Sequence, residues 1–200
     1  MTAVELLKAP MAGPDDVAGL ACLAERGLTP ADVIAVVAKT EGNGCVNDFS
    51  RTLGARAWHD ALDSSAVTVM SGGTEGVLSP HATLVVRVTD RSAPSGLAAA
   101  TAETPPIAKG DIGRRAQVDA VAEAVRRAVA EADMSYSDVH LALVKCPLLT
   151  SADVAACAAA GVDVVTSDTY ESMARSRAAS ALGVALALGE VTDDDIEAAL

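Results

Sequence analysis

One pattern in this chain occurs twice. LTPADVIAVVAKTEG, from Leu28 to Gly42, and MSYSDVHLALVKCPL, from Met134 to Leu148, both place Asp-Val before an apolar run that ends in lysine. Asp32 aligns with Asp138, Val33 with Val139 and Lys39 with Lys145 at one constant offset. A repeat on this scale means units of one supersecondary design, which constrains the fold more than local propensity does. A helical pattern precedes each copy. The first is PDDVAGLACLAERG, with Pro14 at a first helical position and Gly27 as a stop; the second is AQVDAVAEAVRRAVAEAD. The runs VIAVV and VHLALV are short and apolar, which reads as buried strand. Each unit therefore runs helix, strand, lysine, with the amine at the strand end, a common place to present a reactive group.

The rest of each unit follows from local signals. After Lys39 comes the turn-rich TEGNGCVND, then an expected helix over residues 49–62, a strand over 66–70, the turn SGGTEG and a strand over 83–88. The APSG segment near Pro94 and residues 104–113 read as loops. After Lys145 the expectation is a short helix over 151–160, a strand over 162–166 and a long helix over about 171–189. Ser176-Arg177 echoes Ser50-Arg51 near the start of the corresponding helix. Asp193, Asp194 and Asp195 read as a solvated helix start. The expected fold class is α+β: tandem α/β units with small mixed sheets and packed helices. The first unit is expected over residues 1–103, and a second, incomplete one over 104–200. By analogy a strand and a second Ser-Gly turn belong after the Arg177 helix, and Leu200 comes before them.

Composition narrows the partners. Half the residues are hydrophobic, enough for a packed core and against disorder. The formal net charge of −12 argues against nucleic acid and anionic membrane, both of which favour basic surfaces. Cys22, Cys45, Cys146 and Cys157 form no C-x-x-C pair, which reads as free thiols in a reducing compartment. With no leader pattern at the N-terminus and no apolar run long enough to span a bilayer, the expected location is the cytoplasm.

Three features offer chemistry. The first is the pair Lys39 and Lys145. A lysine ordinarily titrates near about 10.4, and bringing it to about 7 takes roughly 4–5 kcal/mol of bias against the charged form. Burial and a neighbouring cation supply such bias, and a lysine so tuned can deprotonate a serine. The plainer alternative is an amine that snorkels to water. The second is Ser71-Gly72-Gly73, where a strand holds the serine and glycines let backbone N–H groups approach a ligand. The third is Arg51 and Arg177, each expected near a helix start, where a cation opposes the helix dipole. A guanidinium suits two-point binding of carbonyl oxygens. His59, His81 and His140 share no metal spacing and read as structural. Glu41 and Glu75 flank the site and are candidates to orient a lysine.

KTEGNGCVNDFSR, VMSGGTEGVLSPH, VKCPLLT and TYESM followed by SRAASALGVALALGEV resemble the cyanuric acid hydrolase/barbiturase family of ring-opening amidohydrolases. The likeness runs over nearly the whole chain. It implies three concatenated domains of similar fold around a pseudo-threefold axis, each giving a lysine and a serine to a shared site. Carried over, the first set is Lys39, Arg51, Ser71 and Gly72, and the second is Lys145 and Arg177. The implied catalytic residues are Lys145, Lys39 and Ser71; the implied substrate contacts are Arg51, Ser71, Gly72 and Arg177. In the family the second-domain lysine activates the second-domain serine, which attacks a ring carbonyl. That serine and the third domain are missing from residues 1–200, and the stretch between Trp58 and Ala66 is short. No cofactor is implied, and no metal, since the family's structural metal goes with the third domain. The expected partners are a small cyclic imide and either further copies of this chain or a second chain supplying the missing units. The rival reading is a subunit that binds cyclic imides without catalysing their opening; a third is a repeat-built α+β protein of unrelated function.

Overall fold

In the computed structural model, which describes residues 3–45, 47–62, 66–73, 77–88 and 96–200, the chain divides into two units, Met1–Thr101 and Ala102–Leu200. Its class is α+β, with one small mixed sheet in the first unit and packed helices in the second. Among the described residues no helix is long and apolar enough to cross a membrane.

The first unit is a four-stranded sheet in the order β1-β4-β2-β3, formed by β1 (Val4–Pro10), β2 (Val33–Lys39), β3 (Val67–Ser71) and β4 (His81–Arg87). β4 runs antiparallel to both β1 and β2, and β3 runs parallel to β2. On β4 the alternate residues Ala82, Leu84 and Val86 are buried, the period of a strand with one covered face. β2 buries Val33 and Ile34 in succession because the ladder slips between Val33 and Ala35, a bulge that inserts one residue. The covering helix α2 (Ser50–Ala61) buries Ser50, Gly54 and Trp58, spaced four apart and so on one face. Trp58 is fully buried in one cluster with Leu7, Leu23, Val36, Leu62 and Leu84, and is the largest buried side chain of this aromatic-poor core.

In this unit one strand is not expected from the sequence and one helix differs from its expectation. β1 carries only a broken alternation, with Leu6 exposed beside Leu7, and so gives no clear strand signal. The helix expected from Pro14 starts later, as a 3-10 turn at Ala18–Leu20 followed by α1 (Ala21–Ala24). The Asp16 carboxylate accepts the N–H groups of Ala12 and Ala18 and so makes residues 12–18 a tight loop. Gly27, at φ 68°, ends the segment as expected. Glu75 and the loop around Pro94 lie outside the described residues.

The second unit is built on α3 (Arg115–Glu131), α4 (Ser151–Ala159), α5 (Thr169–Leu188) and α6 (Asp193–Ala199). Thr150 and Thr192 cap α4 and α6 in reciprocal boxes with Asp153 and Asp195, and Gly189 closes α5 in the left-handed conformation. α3 and α5 pack closely at Gly183, where a Cβ would sit 2.6 Å from the Val118 carbonyl oxygen. A buried polar seam runs through this contact. Gln117 donates to the Ser176 carbonyl and to the hydroxyls of Ser176 and Ser180, and accepts the Gly113 N–H.

The two strands expected in this unit, over residues 139–144 and 162–166, are not paired in a ladder. In the first unit the matching run lies between β3 and β4, and no strand of the second unit stands beside residues 139–144. Without a neighbour a run has nowhere to place its N–H and C=O groups except water. Leu141 and Leu143 are accordingly 76% and 56% exposed. Val162 and Val165 instead pack on the loop at Gly110 and Gly113, and Asp163 pairs with Arg114 at 2.5 Å.

Candidate active site

Lys39 ends β2, and the parallel register sets it opposite Ser71, the last residue of β3. Its other neighbour is His81, the first residue of β4. Parallel strands end on the same edge of a sheet, so their last side chains meet there. The Lys39 Nζ donates to Ser71 Oγ at 2.7 Å and to the Gly72 carbonyl at 3.3 Å. Thr40 N–H donates to the Ser71 carbonyl at 2.9 Å, which carries the pairing one residue past the lysine. Of the residues nominated from sequence, Lys39, Ser71 and Gly72 are in direct contact.

Beyond the strands the chain forms two facing loops. Glu41 adopts φ 57°, a left-handed conformation uncommon outside glycine. The Gly73 N–H donates to the Gly42 carbonyl, and Gly44 packs on Gly73. Gly72 has no room for a side chain, since a Cβ there would sit 2.0 Å from Asp48 Oδ2. Its own N–H has no partner among the described residues. Arg51, the second residue of α2, donates to the Cys45 carbonyl, and its Nε lies 3.6 Å from Asp48 Oδ2. Arg51 thus reaches Gly72 through a single side chain, that of Asp48. Glu41 is exposed and makes no hydrogen bond to Lys39.

Asp48 and Thr40 escape a sequence search for reactive groups. Both are buried, and Thr40 Oγ1 and Ser50 Oγ share a hydrogen bond at 2.8 Å. Burial alone would push the Asp48 carboxyl up. The Ser50 hydroxyl, the N–H groups of Gly44 and Ser50 and the Arg51 cation outweigh that and hold it below the ordinary carboxylate range. The readable signal was Asp-Phe-Ser at a helix start, the pattern of a side chain that caps the backbone.

The second-unit pair stands differently. Lys145 is exposed and makes no hydrogen bond or ion pair among the described residues. Arg177 is not near a helix start: α5 begins at Thr169, capped by Asp168, so Arg177 sits mid-helix and exposed. It lines a cleft of about 400 Å³ with Val139, Leu141, Val144, Cys146 and Val184, and Lys145 is not among the lining residues. His140 lines the same cleft, His59 is exposed, and His81 is bonded through Nδ1 to the Ser79 carbonyl. Among the described residues no three His, Cys, Asp or Glu side chains converge to hold a metal ion.

Residues 5–200 match the family described as amidohydrolase ring-opening protein. The chain belongs to that family. It is 55% identical to a cyanuric acid amidohydrolase of Pseudonocardia dioxanivorans, with 100% of its length covered. It is 53% identical over 97% of its length to a cyanuric acid amidohydrolase of a Rhodococcus species. It spans 58% and 55% of those two relatives. Among solved structures, the cyanuric acid hydrolase of A. caulinodans superposes with a TM-score of 0.89 at 46% identity, covering 98% of this chain and 57% of that one. A second cyanuric acid hydrolase, described as an evolutionary innovation by structural concatenation, gives a TM-score of 0.88 at 43% identity, covering 98% of this chain and 58% of that one.

Proposed function

We propose that this chain takes part in ring-opening hydrolysis of a cyclic amide or imide, cyanuric acid or barbiturate, by a serine–lysine mechanism. Lys39, Ser71, Gly72 and Arg51 form the first unit's share of the site. The 2.7 Å contact between Lys39 Nζ and Ser71 Oγ carries this reading, and the relatives, as cyanuric acid amidohydrolases, supply the substrate class.

The chemistry asks for a free amine that accepts the serine proton. The serine oxygen then bonds to a ring carbonyl carbon, and the displaced electron pair moves to the carbonyl oxygen. Collapse breaks the ring C–N bond, and the departing nitrogen takes the proton from the lysine. Water cleaves the resulting ester and restores the serine. The Gly73 N–H is already spent on Gly42, so Gly72 N–H is the glycine donor left for a developing oxyanion. Arg51 and Arg177 suit the remaining ring carbonyls, and Lys145 is the proposed base toward a second-unit serine.

One observation favours a second reading, a partner-dependent or non-catalytic subunit: Lys145 is exposed and has no hydrogen-bonded serine among the described residues. The two readings separate when the purified chain is mixed with cyanuric or barbituric acid and loss of ring absorbance is followed. Turnover that falls about 10²–10⁴-fold in Lys39→Ala supports the first. Binding without turnover supports the second, and turnover only after a chain supplying the serine is added identifies a split enzyme. In any active assembly Lys145→Ala should abolish turnover with the fold intact, and Arg51→Ala should raise KM; normal kinetics in either would remove that residue from the scheme.

A further inference from the structure

Asp48 is the most constrained side chain near the candidate site, and the chemistry above does not use it. Its carboxylate is buried and fully engaged. Oδ1 accepts the Ser50 N–H at 2.9 Å and the Ser50 hydroxyl, and Oδ2 accepts the Gly44 N–H at 2.8 Å. The same Oδ2 faces Arg51 Nε at 3.6 Å. Three backbone segments close on the carboxylate: a Cβ at Gly42 would meet Oδ1 at 2.0 Å, one at Gly72 would meet Oδ2 at 2.0 Å, and Gly44 binds Oδ2 directly. Glycine at positions 42 and 72 is therefore a condition for the acid to occupy this place.

We propose that Asp48 is a positioning residue that couples the Arg51 guanidinium to the Ser71–Gly72 turn, so that the cation and the Gly72 N–H hold one fixed spacing. A carboxylate suits this role better than any neutral group. It accepts from several donors at once, whereas an amide in its place would set an N–H against the Gly44 or Ser50 donor. It also orients the guanidinium from one side and, with the Cys45 carbonyl, holds the planar fork in place. The remaining donors are thereby fixed before any ligand arrives, the condition for tight two-point recognition. That such a ligand is a cyclic imide rests on the function proposed above; the coupling itself does not.

The test uses the full chain, labelled with ¹⁵N. In Asp48→Asn the Arg51 Nε–H resonance and the Gly72 amide should both move. Arg51 and Gly72 resonances that stay in place in a folded Asp48→Asn would overturn the proposal. Should that variant fail to fold, Arg51→Gln approaches the coupling from the exposed end. The Gly44 and Gly72 amides should shift there, and unmoved amides overturn the proposal equally. A calorimetric cycle with cyanuric acid as the probe adds the functional reading. Asp48→Asn should weaken binding about tenfold to a hundredfold in the wild-type background, and should add no further loss in the Arg51→Gln background. Independent, additive losses would mean that Asp48 does not act through Arg51. If the wild-type chain does not bind cyanuric acid, the functional proposal fails and the resonance shifts alone decide the coupling.

Discussion

The runs that end in Lys39 and Lys145 share one frame, Asp-Val, an apolar stretch and a lysine, yet one is an inner strand of a sheet and the other lies unpaired along a cleft. The difference comes from neighbours. Residues 33–39 have β4 on one side and β3 on the other, and the parallel register with β3 brings Ser71 to the lysine. Residues 139–145 have no strand beside them, and their lysine faces water. An apolar run specifies a readiness to pair, while the geometry of its last side chain depends on what it pairs with.

The strongest way to break this comparison is to remove what holds the first sheet. Trp58→Ala deletes the largest side chain beneath β2 and β4 and should cost about 3–5 kcal/mol, read by urea unfolding. Hydrogen exchange should show the loss along Val33–Lys39 and His81–Arg87. A cost under about 1 kcal/mol would mean that strand pairing alone, not the core under it, keeps Lys39 against Ser71.

Much of this architecture is legible in the sequence, for identifiable reasons. α2, α3, α4 and α5 are all expected from the sequence, and two ends have a local signal in the chain itself, Thr150 with Asp153 at the start of α4 and Gly189 at the stop of α5. Short-range signals of this kind survive any tertiary context. β1 is missed because its buried residues Val4, Leu7 and Ala9 do not keep strict alternation. Arg177 is misplaced because Asp168 starts α5 two turns before Ser176. The residues themselves nominate Lys39, Ser71-Gly72 and Arg51 as separate features, and the family resemblance groups them as one set. That three of them touch follows from strand register, and that the fourth connects through Asp48 follows from loop packing; neither is a local property.

A smaller effect sharpens the comparison from the second unit, where a polar seam stands in for the sheet. Gln117→Leu leaves the Gly113 N–H without its acceptor and takes a shared donor from Ser176 and Ser180, all in buried surroundings. The expected cost is about 1–3 kcal/mol, seen as faster exchange in α3 and α5 with β2 and β4 unchanged. A neutral or stabilising result would show that apolar packing at Val118, Ala179 and Ile196 carries the unit without the seam.

The smallest effect separates the units by pH. Asp48 titrates below the ordinary carboxylate range in the folded chain, so its contribution is fully present above the unfolded value and is lost as pH falls through the lowered folded one. In the second unit Asp153, held at about 2 by the Thr150 hydroxyl and N–H and by Lys109, behaves with the same sign, but it is open to solvent on one side and its effect is partly screened. Acidification from about pH 5 toward pH 2 should therefore move the Gly44 and Ser50 amides together with the Arg51 Nε–H as one group, since all three depend on a single carboxylate. In the second unit the Thr150 amide, the first turn of α4 and the Lys109 ammonium should respond to Asp153. Separate midpoints for Gly44 and Ser50 would show that the two oxygens of Asp48 do not answer to one proton, and that the first unit's loop is held by something other than this acid.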